Sequence, residues 1–109
     1  MRTSLFVALA LFATVSAAKE PLPAGTIQKG SLANQKLIHD AMLGVVGRAA
    51  TLGCNKIDAF QPYVVAMPEG TPGARVWHER WIVTCAGVDY PINIRFNESG
   101  PDAADWSTE

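Results

Sequence analysis

The residues best equipped for chemistry stand together in one short run, Trp77-His78-Glu79-Arg80-Trp81. It offers an imidazole, a carboxylate and a guanidinium, the groups from which acid–base catalysis or anion recognition is built. The surrounding stretch, Ala74–Cys85, alternates apolar with polar residues and so reads as a strand. Alternation places Trp77, Glu79 and Trp81 on one face, and His78 and Arg80 on the other. Trp77 and Trp81 read as core anchors rather than as a sugar-stacking platform, because Val83 and Cys85 share their face. Glu79 is costly in such company unless it is paired, which predicts a place at the sheet margin or a bonded partner. As a general acid it needs a second carboxylate or a base, and the spacing supplies neither. With two His and five Asp in the chain, a Ser-His-Asp arrangement can always be drawn and carries no weight.

Cys54 and Cys85 complete the reactive inventory. Zinc would need four ligands at characteristic spacing, and the sequence has no C-x-x-C or H-x₃-H, so no metal or other cofactor is expected. The two cysteines are expected to form one disulfide, whose loop closure is worth about 3–4 kcal/mol in the chain-entropy picture.

That expectation depends on compartment, and the N-terminus addresses it. Arg2 precedes an apolar run from Leu5 to Val15, followed by the small residues Ser16, Ala17 and Ala18. This is the pattern of a secretory signal peptide over residues 1–18, with Lys19 as the mature N-terminus. The apolar run is shorter than the roughly 20 residues a membrane span requires, so no membrane insertion is expected after cleavage. The expected location is periplasmic or secreted.

The remaining chain has room for one domain. Hydrophobic residues make up 49% of the whole sequence and charged residues 17%, too apolar for a disordered chain. A formal net charge of −1 argues against nucleic acid as a partner, since neutralising phosphates takes clustered Lys and Arg. The charge is uneven, with Glu98, Asp102, Asp105 and Glu109 crowding the end. Residues 19–30 read as an extended leader, 31–97 as the domain, and 98–109 as an acidic tail with Trp106 as its one anchor.

Within the domain, Ser31 looks like a helix N-cap. Apolar pairs at Leu37/Ile38, Ala41/Met42, Val45/Val46 and Ala49/Ala50 predict a helix running to Leu52, closed by Gly53. Gly44 and Gly47 interrupt it, as points of close approach or as a kink. Tyr63–Met67, Ala74–Cys85 and Tyr90–Asn97 read as strands. A Gly87-Val88 turn of type II′ pairs the last two, opposing Cys85 with Tyr90, Trp81 with Ile94, Glu79 with Phe96 and Arg80 with Arg95. The outward face then carries Arg75, His78, Arg80 and Arg95, which read either as a solvated face guarding the exposed sheet or as a basic patch suited to an acidic protein surface or another anionic ligand.

The expected fold is α+β, with one long N-terminal helix on a three- to four-stranded antiparallel meander and one disulfide. It resembles the cystatin-like arrangement in layout alone, because Gln61-Pro62-Tyr63-Val64-Val65 lacks the inhibitory glycine pattern and no late Pro-Trp pair occurs. Gly53-Cys54 together with Trp77-His78-Glu79-Arg80-Trp81-Ile82-Val83-Thr84-Cys85 resembles small exported proteins of Gram-negative bacteria that share a Gly-Cys … W-x-E-x-W-x-V-x-C pattern. The resemblance implies a fold and no activity. The expected function is a non-enzymatic periplasmic or secreted protein-binding module, of the inhibitor or toxin-immunity kind. The alternatives are a structural or accessory subunit of a cell-envelope complex, and a small hydrolase. A pocket in which Glu79, His78 and a third polar group converge would favour the hydrolase.

Overall fold

The computed structural model describes residues 22–109. The expected signal peptide and its cleavage site lie outside the described residues. Six elements follow one another: β1 (Gln28–Lys29), α1 (Gln35–Thr51), β2 (Ala59–Glu69), β3 (Val76–Cys85), β4 (Val88–Glu98) and β5 (Ala104–Thr108). The five strands form one antiparallel sheet in the order β1-β2-β3-β4-β5. The single helix packs across β4 and β5 on one face.

This corrects the expected architecture in two respects. The sheet has five strands rather than three or four, and the helix lies mid-chain behind a strand rather than at the N-terminus. The first addition arises in the leader, where the Ile27 amide donates to the Val64 carbonyl and the Gly30 amide to the Pro62 carbonyl. The second arises in the acidic segment, which hides a period of two. Asp105 and Ser107 are exposed while Ala104, Trp106 and Thr108 are half-buried on the helix side.

Local chemistry explains the limits of α1. Ser31 accepts from the Ala33 amide in a tight turn, and Asn34 takes the N-cap instead, its Oδ1 accepting from the Leu37 amide at 2.8 Å. The C-terminus is a Schellman motif. Gly53, at φ 104°, donates to the Ala50 carbonyl, and Cys54 donates to that of Ala49. This turn delivers Cys54 to Cys85 at the end of β3, and the two form a disulfide with a Cα–Cα distance of 5.8 Å.

The β3–β4 hairpin is also corrected. Its turn is Ala86-Gly87, with φ of 51° and 81°, the positive pair that a type I′ turn requires. Register therefore slips by two from the expected pairing: Cys85 opposes Val88, Trp81 opposes Ile92, Glu79 opposes Ile94 and Trp77 opposes Phe96. A slip of two preserves the faces, so the separation of apolar from polar residues survives. The longer ladder gains a Thr84–Asp89 side-chain bond of 2.7 Å, and the Asp58 carboxylate accepts from the Ala86 amide at 2.8 Å.

The core lies between α1 and the sheet. Ala41, Val45 and Ala49, at four-residue spacing, meet Trp81, Val83, Ile92, Ile94 and Phe96. Trp77 stacks on Phe96 with centroids 4.9 Å apart, and Phe60 stacks on Trp81 at 5.4 Å. Gly44 is a point of close approach, because a methyl group there would collide with the Trp106 ring. Gly47 faces open space.

Candidate functional site

The Trp77–Glu79–Trp81 run is a built polar cluster inside the core. Glu79 is fully buried, which corrects the expectation of a place at the sheet margin, and it is bonded. Two residues before and two after it on β3, both indoles lean inward. Trp81 Nε1 donates to Oε1 at 2.8 Å, and Trp77 Nε1 donates to Oε2 at 2.8 Å. Oε2 also accepts from the Leu32 backbone amide at 2.9 Å. Three N–H donors surround one side chain, as suits a carboxylate, which only accepts. The W-x-E-x-W spacing thus has a physical meaning. Period two puts all three side chains on one face, where the tryptophans supply the hydrogen bonds that make the acid tolerable in an apolar core. The Leu32 bond ties the segment entering α1 to the sheet. His78 stands on the opposite face from Glu79, so the two do not converge in a pocket.

The structure redistributes the four residues of the expected basic patch. Arg75 has the parity of Trp77 and forks onto Glu98, its Nε 2.9 Å from Oε1 and its Nη2 2.8 Å from Oε2. Glu98 Oε1 also accepts from the Gly73 and Arg75 amides. The Arg75 guanidinium, seconded by these amides, holds the Glu98 carboxyl down at about 2, from an ordinary 4.5. Arg75 therefore fastens the β2–β3 loop to the end of β4 and stands apart from the other three.

His78, Arg80 and Arg95 share the sheet face that α1 leaves open. The register corrects their pairing: Arg95 opposes His78, and Arg80 opposes Asn93. Arg80 donates to Asn93 Oδ1 at 3.0 Å and to the Ala24 carbonyl at 3.1 Å, which draws the leader over this face. Asn93 thus separates the two arginines. His78 Nδ1 is 3.6 Å from Glu109 Oε1, an ion pair when the imidazole is protonated. Arg95 is exposed and opens onto a shallow depression of about 280 Å³ lined by Asn97, Asp105, Trp106 and Ser107. Lys29 and Tyr63, not singled out in the sequence, join the same row, since Lys29 opposes Tyr63 and Tyr63 opposes Arg80. The signal was available in the strand parity of Tyr63, but β1 is too short to announce itself.

A second concavity, of about 390 Å³, lies between the start of α1 and residues 98–104, with Leu32, Leu37 and Trp77 inside and Lys36, Asp40 and Asp102 among its lining. Lys36 and Asp40 form an exposed ion pair of 3.2 Å across one helical turn. Among the described residues, no cluster of three or more His, Cys, Asp or Glu is placed to hold a metal ion. No described helix is long and apolar enough to cross a membrane.

No protein-family model, curated protein or solved structure matches this chain.

Proposed function

We propose that this chain is a non-enzymatic binding module, exported to the periplasm or the cell exterior, whose open sheet face recognises an acidic protein surface. The observation that carries the reading is the row Lys29–Tyr63–Arg80 beside the pair His78–Arg95, on the sheet face opposite the helix. Arginine and tyrosine are enriched in protein interfaces, and a sheet presents them on a backbone that is already ordered. Acidic groups on this face include Glu69 and Asp89 near strand ends, Asp105 beside Arg95, and Glu109 against His78. In the Arg95 depression, which Asp105 also lines, the guanidinium can grip a carboxylate through two hydrogen bonds.

Export rests on the N-terminal pattern of the sequence and fits the Cys54–Cys85 disulfide, a bond that persists in oxidising compartments. The test is capture from an envelope extract by the immobilised chain and by an Arg95→Glu variant, Arg95 being exposed. An acidic protein retained by the first and lost by the second, with the two melting curves close together, is the expected result. Identical retention by both would overturn the reading.

A further inference from the structure

β5 lays an acidic strand beside the basic groups of the open sheet face. Its side chains on that face are Asp105 and Ser107, and Glu109 continues the same parity just beyond the strand. Ser107 opposes Arg95 directly. Asp105 opposes Asn97, and the Glu109 amide donates to the Asn93 carbonyl at 2.8 Å. The two acids therefore stand at the two diagonal positions flanking Arg95, a separation that a long side chain can span. Asp105 lines the depression into which Arg95 opens, and Glu109 Oε1 lies 3.6 Å from His78 Nδ1. The chain thus brings two carboxylates of its own to the place where this face would receive those of a partner.

We propose, on the reading of the open sheet face as an acid-binding surface, that Asp105 and Glu109 act as an intramolecular competitor for it, which a partner must displace from Arg95 and His78. The strand itself stays in place. Its ladder with β4 and the seat of Trp106 over Gly44 hold it, and the Glu109 backbone is pinned to Asn93. Only the carboxylates have to yield, and both residues are exposed. The competitor also selects the kind of partner. A lone carboxylate at Arg95 merely exchanges one anion for another. A partner with several closely spaced carboxylates also reaches Arg80 and Lys29, on β3 and β1, which the acids of β5 do not flank. Each further carboxylate then binds at high effective concentration.

The test is the affinity of the full chain for a fluorescent octaglutamate peptide, read by anisotropy at constant ionic strength. The parent is compared with Asp105→Asn/Glu109→Gln and with Asp40→Asn/Asp102→Asn. The second variant removes the same charge from residues that line the concavity at the start of α1. An exposed carboxylate beside a bound anion should weaken binding about two- to fivefold, so the first variant is expected to bind about tenfold tighter than the parent, and the second within about twofold of it. Equal gains by the two variants would reduce the effect to net charge and overturn the proposal. So would no gain by the first while binding by the parent is lost in Arg95→Glu, a result that leaves the acid-binding reading standing. Failure of both the parent and the first variant to bind octaglutamate would overturn that reading, and the proposal with it.

Discussion

Glu79 shows how one side chain can organise a core. Its carboxylate accepts from two indoles on its own strand and from a backbone amide forty-seven residues earlier, so sheet and helix entry are fixed by the same group. Glu79→Gln tests this with almost no change of shape. The amide oxygen can replace Oε2, but the amide nitrogen then faces the Trp81 indole N–H, donor against donor. The expected loss is about 2 kcal/mol, read as a lower urea midpoint at unchanged slope. An unmoved midpoint would show that the cluster is idle. Glu98 gives the pH counterpart. Its folded pKa is depressed, so its contribution is complete above the ordinary carboxyl value of 4.5 and disappears as pH falls toward about 2. The urea midpoint of the parent should therefore drop more between those two pH values than that of Glu98→Gln. Parallel pH profiles would mean that the Arg75 fork adds nothing, and with Arg75 half-exposed, salt should blunt the difference.

Among the elements, the two helical glycines make a matched pair. On propensity alone, alanine at either position should stabilise α1 by about 1 kcal/mol. Gly47→Ala should do so. Gly44→Ala should instead lower the melting temperature, because its methyl group enters the space of the Trp106 ring. The same contact explains what the sequence could and could not disclose. The helix, the disulfide and the division of β3 between Trp77/Glu79/Trp81 and His78/Arg80 were legible, because each rests on local period or on a unique pairing. The β3–β4 register was not, since Ala86-Gly87 and Gly87-Val88 both look like two-residue turns, and only the positive φ at Ala86 separates them. β1 and β5 were hidden for a different reason. β1 is two residues long, and β5 is five, alternating exposed Asp105 and Ser107 with half-buried Ala104, Trp106 and Thr108, so neither carries a strong apolar signal of its own. Both exist because a neighbouring strand edge and, for β5, the notch at Gly44 were already in place. As for the candidate site, the sequence named His78, Arg80 and Arg95. It could not see that Arg75 would be claimed by Glu98 or that Asn93 would part the two arginines.

At the scale of the whole molecule, the two sides of the sheet differ in character. One is closed by α1, the buried tryptophan–carboxylate cluster and the Cys54–Cys85 bond, which together make a rigid support. The other presents Lys29, Tyr63, Arg80, His78 and Arg95 on strands that cannot easily rearrange. Central to the account is the claim that recognition belongs to this open side. The most direct measurement is photo-crosslinking in the producing cell, with a photoreactive residue at Ser107, exposed and opposite Arg95, and a control at Arg48 on α1. The account predicts an adduct with an acidic protein from position 107 that vanishes when Arg95 is reversed to Glu. Adducts with another protein from position 48 alone, or an adduct at 107 indifferent to Arg95, would contradict it.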